Sequence, residues 1–223
     1  MKSSSHWLIP AGLLALTLVP AVAGSLRLSE MAGGAAVIPD GERVTQSPVA
    51  LVAHIVSVIV FGVLGAFQFA PGVRRRFRRW HRTAGRIVAP AGVIAAVSGL
   101  WLTVFLPAAA ADSLALSLIR VVVVGWMVTA LILGVAAALR RDFGAHRAWM
   151  IRGYAIGMGA GTQFFTLTAW QVTAGEFTPA GRTAMMAAAW LINALVAEWL
   201  IRGRPASGRR ANRQKLSRST VGS

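Results

Sequence analysis

The chain has 223 residues, of which 56% are hydrophobic and 13% charged, with a mean hydropathy of +0.61 and a net charge of +16 at pH 7. A soluble globular domain carries about 25% charged residues. A nucleic-acid binder would place its arginines among polar surface residues, not between long apolar runs. The composition excludes both classes and predicts a membrane protein. The chain also lacks cysteine, which excludes disulfides and thiolate metal sites.

Six apolar segments are long enough to cross about 30 Å of hydrocarbon as helices. They are continuously apolar, whereas the strands of a membrane barrel alternate between polar and apolar residues. The sequence therefore predicts an all-α, polytopic helix bundle with one transmembrane domain over residues 1–201. The six segments are Trp7–Ala23, Val49–Ala70, Ile87–Leu106, Ser113–Leu139, Gly153–Gln171 and Thr183–Ile201.

The first segment has a second interpretation. Lys2, the apolar stretch and the small residues Ala21 to Ala23 also fit a secretory signal peptide with its cleavage site. Retention of the segment predicts six transmembrane helices with a cytoplasmic N-terminus, and cleavage predicts five. The apolar stretch is longer than the usual signal core of about 7–15 residues, which favours retention.

The basic residues predict the orientation of the chain in the membrane. Of the 23 Lys and Arg residues, 19 fall on one side of the predicted membrane, three on the other, and Arg120 within a span. The positive-inside rule assigns the side with 19 to the cytoplasm, together with the C-terminus. Residues 202–223 form a basic tail rich in Ser and Gly, which we expect to be disordered. We expect anionic lipids at the cytoplasmic face as partners and no nucleic acid. The oligomeric state cannot be read from the sequence.

Two turns on the basic side share one pattern. Residues 76–82 read RFRRWHR and residues 141–147 read RDFGAHR, so both follow R-x-x-x-x-H-R, with 65 residues between the two histidines. Each turn joins an inward-running helix to an outward-running one. The pattern indicates a duplicated helical hairpin, an internal symmetry found in transporter folds.

Three stretches resemble a known family. A helix with His54 ends in Gln68-Phe69, a turn leads into HRTAGR from His81, and HRAWMIRGYA begins at His146. Over about residues 50–170 the chain resembles the bacterial membrane proteins of domain of unknown function 2306 (DUF2306). The resemblance implies a multi-helix, multi-pass protein of the bacterial inner (plasma) membrane, and it implies no reaction.

The two turns together form a candidate anion site at the predicted headgroup level. Two helix N-termini, each with His and Arg, can receive a phosphate or carboxylate. The alternative is that the basic and aromatic residues are interfacial anchors and that the histidines cap the turns. The candidate residues are His81, Arg82, Arg86, His146, Arg147 and Arg152.

The same histidines raise a redox alternative. His81 and His146 lie at matching predicted depth, as the axial ligands of a b-type haem would, and a quinone near them is also compatible with this reading. The surrounding arginines and water weigh against a haem slot. The sequence holds no P-loop, nucleophile elbow or zinc-protease motif. It therefore favours a non-enzymatic bundle that binds an anion or lipid headgroup, without a cofactor, over a haem b or quinone protein.

A second candidate site lies near the predicted outer face. His54 and Arg120 are about 8 and about 10 Å deep in their spans. Arg120 has no acid in the outer half of any span, and an arginine inside the membrane is a functional hypothesis by default. Asp112 or Glu176 can reach down from the outer loops. Alternatively, Arg120 holds an anionic ligand or extends to the headgroups.

Two further patterns have structural interpretations. Gly153, Gly157 and Gly161 recur every four residues, which predicts a smooth stripe for close helix packing. Glu198 lies four residues before Arg202 near the end of the last span, which predicts an ion pair at the interface.

Overall fold

The computed structural model describes residues 5–37, 41–109 and 111–203, and the secondary structure in these ranges is entirely helical. The predicted tail and Lys2 lie outside the described residues, apart from Arg202 and Gly203 at the end of the last helix. The helices are α1 Ser5–Met31, α2 Gly41–Thr45, α3 Pro48–Gln68, α4 Pro71–Arg76, α5 Arg78–Phe105, α6 Leu114–Leu139, α7 Phe143–Gly157, α8 Gly159–Ala174 and α9 Pro179–Arg202.

Five of the described helices are long and apolar enough to cross a membrane: α1, α3, α5, α6 and α9. The prediction of an all-α polytopic bundle is confirmed. Several helices run beyond their apolar segments. Helix α5 begins at Arg78, nine residues before the predicted span, because backbone hydrogen bonds favour helix at the headgroup level as well.

The fifth predicted span, Gly153–Gln171, is interrupted and not one continuous helix, and the number of spans stays a prediction. The chain forms α7 and α8, of 15 and 16 residues, separated at Met158. Glycines flank the break on both sides, at positions 157 and 159. Glycine is about 1 kcal/mol poorer than alanine in a helix, and pairs of small flexible residues are common sites of helix kinks.

Asn193 of α9 bridges the break between α7 and α8. In a continuous helix the Ala155 carbonyl would accept a hydrogen bond from the Gly159 N–H. Here the Ala155 carbonyl accepts from Nδ2 of Asn193 at 3.0 Å, and Thr162 donates to Oδ1 of Asn193 at 2.9 Å. One amide therefore joins the end of α7 to the first turn of α8, and the freed carbonyl is not left unpaired in an apolar region.

The bundle has two chemically different ends. The Asp112 end comprises α2, residues 106–113 without residue 110, and residues 175–178. The arginine-rich end comprises α4 and residues 140–142. Between the ends, large apolar side chains such as Val122 and Leu195 are exposed, as expected for a surface that faces lipid. The assignment of the arginine-rich end to the cytoplasm stays a prediction.

The core lies where α3, α5, α6 and α7 meet. Phe61, Leu131 and Tyr154 are its largest members, and the Tyr154 hydroxyl donates to the Gly62 carbonyl at 2.7 Å. A Cβ added to Gly92 or Gly157 would lie 2.5 Å from the Phe61 ring. The glycines of α5 and α7 therefore make the space into which Phe61 packs.

Helix α1 packs against α3 and α8 through small residues. The Thr17 side chain, which is 2% exposed, lies against Gly62 of α3. A Cβ on Gly161 of α8 would lie 2.2 Å from the Leu16 carbonyl oxygen. Lipid-embedded helices associate through this kind of close backbone approach, because no hydrophobic effect drives them together.

Replacement of Gly161 by alanine should destabilise the bundle. The added methyl group meets the backbone of α1, so the helices must separate, and overpacking of this kind costs about 1–3 kcal/mol. Gly125→Ala in α6 is the matched control, because nothing lies within 4 Å of its added Cβ. We expect Gly161→Ala to lower the unfolding temperature in detergent and Gly125→Ala not to lower it. Equal effects would show that α1 does not dock on α8.

Candidate functional site

The first turns of α6 and α9 lie side by side at the Asp112 end. The Ser113 hydroxyl accepts from the Leu116 N–H at 3.0 Å and lies 2.8 Å from the Thr183 hydroxyl of α9. The Thr178 side chain accepts from the Gly181 N–H at 3.0 Å. Ser and Thr are preferred helix N-caps for this reason. The two caps place Asp112, next to Ser113, beside the start of α9.

Asp112 binds two arginines from two different helices. Its Oδ2 accepts from Nη1 of Arg120 on α6 at 2.7 Å, and its Oδ1 accepts from Nε of Arg182 on α9 at 2.8 Å. The Asp112 side chain is 8% exposed, and those of Arg120 and Arg182 are 19% and 27% exposed. Asp112 is therefore the acid that compensates Arg120, and it reaches that arginine from the loop between α5 and α6.

The environment of Asp112 favours its ionised form. Burial alone would raise the pKa of the Asp112 carboxyl, but the hydrogen bonds and charges of Arg120 and Arg182 outweigh burial and lower that pKa. The trio of Asp112, Arg120 and Arg182 therefore carries a net formal charge of +1 at neutral pH.

The two arginines keep hydrogen-bond donors for another group. A guanidinium has five N–H donors. Within the described residues, Arg182 donates one hydrogen bond to Asp112, and Arg120 donates one to Asp112 and a long one to the sulfur of Met186 at 3.7 Å. Arg182 also lies over the Phe177 ring, 6.0 Å from its centroid. The remaining donors and the net charge suit an anion.

These charges line a cavity of about 360 Å³. The wall near the charges includes Asp112, Ser117, Arg120, Arg182 and Arg43, whose guanidinium donates to the Pro107 carbonyl at 3.1 Å. The deeper wall is apolar and is formed by α3, α5, α6, α9 and the junction of α7 with α8. The cavity therefore combines a charged mouth with an apolar interior, as small-molecule sites do.

His54 lies in the cavity wall with a fixed ring orientation. Its Nδ1 lies 2.9 Å from the Ala95 carbonyl and 3.3 Å from the Ser98 hydroxyl. A carbonyl can only accept, so Nδ1 carries the hydrogen and Nε2 is the acceptor in the neutral ring. Gly99 makes room for the ring, because a Cβ there would lie 2.9 Å from its Cε1.

The structure brings His54 and Arg120, the predicted outer pair, to one cavity. Asp112 was one of several partners that the sequence allowed for Arg120. Arg182 and Arg43 are two of the three basic residues on the predicted outer side, and the sequence did not predict their place in the cavity. The available signal was that Asp112 stands next to the N-cap Ser113 and Arg182 lies in the first turn after the N-cap Thr178, since neighbouring helix starts at one membrane face can meet.

The two turns at the arginine-rich end also approach each other. His81 lies within electrostatic range of Arg74 and His146. Nδ1 of His146 donates to the Gly134 carbonyl at 2.8 Å, which leaves its Nε2 as the acceptor. Nδ1 of His81 and Nε2 of Gln68 are buried with no hydrogen-bond partner among the described residues.

The arginines of the predicted anion site differ in their surroundings. Arg82 and Arg86 are exposed, and Arg147 is half-buried. Arg152 donates to Glu198 twice, at 2.6 and 3.1 Å, and lies over the Trp149 ring. Glu198 was predicted to pair with Arg202 alone, which lies farther away at 3.5 Å.

The three glycines of the predicted packing stripe face different helices. A Cβ on Gly153 would meet Leu131 of α6, one on Gly157 would meet Phe61 of α3 and Met127 of α6, and one on Gly161 would meet α1. The helix is interrupted at Met158 within this stripe. The three glycines therefore permit close approaches to α1, α3 and α6 and do not form one continuous packing surface.

The described residues contain no group of three or more His, Asp or Glu side chains that could hold a metal ion. Neither the expected absence of a cofactor nor its alternative, haem b at His81 and His146, is tested by this finding, since two histidines suffice as axial ligands of a haem.

Comparison with known proteins gives one finding. A family model described as "Predicted membrane protein (DUF2306)" matches residues 51–201, which include most of α3, all of α4 to α8 and nearly all of α9. No curated protein and no solved structure matches the chain.

Replacement of Asp112 by asparagine should destabilise the protein in a pH-dependent way. A depressed pKa stabilises the fold fully above the unfolded pKa of about 3.9, and this contribution disappears as the pH falls through the folded pKa. At pH 7 we expect a loss of roughly 3 kcal/mol, the usual effect of removing one partner of a buried ion pair. The measurement is the unfolding temperature in detergent between pH 7 and pH 3.

Glu176→Gln is the matched control, because Glu176 is an exposed acid at the same end of the bundle. Its effect should stay within about 0.5 kcal/mol. A difference between the wild type and Asp112→Asn that stays constant down to pH 3 would contradict the assigned role of the Asp112 charge.

Proposed function

We propose that the chain, which belongs to DUF2306, a family of predicted membrane proteins, is a non-enzymatic, multi-pass membrane protein. We further propose that it binds an anionic ligand in the cavity at the Asp112 end. The observation that carries the proposal is the trio of Asp112, Arg120 and Arg182 at the mouth of that cavity. By the positive-inside rule, we place this mouth at the outer face of a bacterial inner membrane.

The electrostatics of the mouth support binding of an anion. Arg120 is seven residues into α6, where a charge is costly unless it is paired or used. Asp112 compensates only one of the two arginines, so one positive charge remains. A bound monoanion would neutralise the trio and accept hydrogen bonds from the remaining N–H groups. Hydrogen bonds to charged groups contribute about 1.5–3 kcal/mol each.

The cavity supports binding and not catalysis. A nucleophile needs a base within hydrogen-bond reach. The only hydroxyls in the described wall are Ser117 and Thr103, and both donate to helix carbonyls, of Ser113 and Gly99. His54 is the one titratable base in the described wall besides Asp112, and no hydrogen bond joins its acceptor Nε2 to a described hydroxyl. No described side chain pairs a nucleophile with a base here.

A charge-selective binding assay tests the proposal. The full chain in phosphatidylcholine nanodiscs should bind benzoate more tightly than benzylamine or benzyl alcohol, measured by equilibrium dialysis at fixed ionic strength. Arg120→Gln and Arg182→Gln should each weaken benzoate binding by about tenfold or more, because each removes charged donors. Asp112 keeps one arginine partner in either variant, which limits the loss of stability.

Arg79→Gln is the matched control, because Arg79 is an exposed arginine of α5 at the opposite end. It should leave benzoate binding unchanged. Equal binding of benzoate and benzyl alcohol, or equal losses in Arg79→Gln and Arg120→Gln, would contradict an anion site at the Asp112 end.

A second candidate function is supported by the arginine-rich end. Two buried polar atoms there, Nδ1 of His81 and Nε2 of Gln68, have no described partner, and His146 lies nearby. Buried polar groups normally have a hydrogen-bond partner. A phosphate group of an anionic lipid, held with Arg82 and Arg86, would supply acceptors at this level. Arg152 is bound to Glu198 and contributes less to such a site.

Retention of anionic lipid tests this second candidate. Native mass spectrometry should show that the wild type keeps phosphatidylglycerol in preference to phosphatidylcholine. The double variant His81→Asn with His146→Asn should lose this preference, and Arg140→Gln, an exposed arginine at the same end, should keep it. Identical lipid retention in all three proteins would contradict the headgroup site.

The redox alternative has its own measurement. A Soret band of near-stoichiometric intensity in the purified protein, lost in the double histidine variant, would assign haem b to His81 and His146. A colourless protein that retains phosphatidylglycerol would support the headgroup site.

A further inference from the structure

The cavity at the Asp112 end continues well beyond its charged mouth. Along α6 it extends from Ser117 to Met127, ten residues apart, which corresponds to about 15 Å of helix. Its wall away from the charges includes Phe61, Val124 and Ile156, and Met158, between α7 and α8, also lines it.

The deeper chamber suits a hydrocarbon better than water or a second charge. A buried water needs two to four polar partners, whereas the described side chains that line the chamber beyond Arg120 are apolar apart from the indole N–H of Trp190. Nearer the mouth the described wall also carries the ring of His54, held by Ala95, and the hydroxyls of Ser117 and Thr103. An inorganic anion bound at Arg120 and Arg182 would leave this chamber unfilled.

The size and charge of the cavity restrict the ligand further. A volume of 360 Å³ equals that of about twelve water molecules. This is too small for the two acyl chains of a phospholipid but accommodates one short chain. One negative charge neutralises the net charge of +1 on the trio of Asp112, Arg120 and Arg182, beside which Arg43 donates to the Pro107 carbonyl.

We propose that the ligand is an amphipathic monoanion with a single acyl chain, whose head binds Arg120 and Arg182 and whose chain descends along α6 towards Met158. This inference rests on the proposed anion site and adds the substrate class. Val124 and Met127 then determine the preferred chain length, because both line the chamber below the charges.

A chain-length series tests the inference. Labelled butyrate, octanoate and dodecanoate are dialysed against the full chain in phosphatidylcholine nanodiscs, with empty nanodiscs subtracted. Octanoate should bind at least about tenfold more tightly than butyrate, because each buried methylene adds to affinity. Octanol should bind more weakly than octanoate, and Arg120→Gln should weaken octanoate binding by about tenfold.

Two variants change the chamber in opposite directions. Val124→Phe fills it and should abolish the preference for octanoate over butyrate while butyrate still binds. Met127→Ala enlarges it and should shift the preference towards dodecanoate. Val122→Phe is the matched control, because Val122 is 71% exposed on α6 outside the cavity wall. It should leave the series unchanged.

The outcomes separate this inference from the proposed function. Equal binding of butyrate and octanoate, both lost in Arg120→Gln, would overturn the acyl-chain ligand and leave the anion site standing. Binding without charge selectivity would overturn both. A lysophosphatidylglycerol that displaces octanoate would identify a lipid as the source of the chain, and failure to displace it would identify a free acid.

Discussion

Close approach of helix backbones is the constraint on which this bundle depends. Helices in lipid gain no hydrophobic energy from meeting one another, so contact area and packing must hold them together. Phe61 shows how this works, because it packs into space that Gly92 provides on α5 and Gly157 on α7. Gly161 lets α8 approach the backbone of α1 in the same way. Gly157 also flanks the break at Met158, so one glycine serves both the close packing and the interruption of the helix.

Polar contacts hold α9, which apolar packing alone would hold weakly. Only 17% of the most apolar stretch of α9 is buried inside the bundle. Arg182 binds Asp112 near its start, Asn193 binds the break between α7 and α8 near its middle, and Glu198 binds Arg152 near its end. In a medium without water, such contacts act between groups that have few alternative partners. Helix α9 is therefore held to the rest of the bundle at three depths in the membrane. These contacts also fix the part of the cavity wall that contains Arg182.

The sequence was sufficient for the architecture because hydropathy reports directly on burial in lipid. The predicted span Ser113–Leu139 differs from α6 by one residue, and the family resemblance at His54, His81 and His146 agrees with the matched family model. The break at Met158 was not predicted, because an apolar run with three spaced glycines is compatible with either a straight or an interrupted helix. The partners of Arg120 and Glu198 depend on which helices are neighbours in space. Periodicity within a single segment carries no information about such neighbours.

The Asn193 bridge has a consequence for how the bundle can move. Hydrogen bonds from one amide to Ala155 and Thr162 are directional, so sliding α9 by one helical turn, about 5.4 Å, would break both together. The same slip would separate Arg182 from Asp112 and Glu198 from Arg152. The register of α9 is thus determined jointly by contacts far apart along its length. A slip of α9 by one turn would therefore break all of these contacts at once.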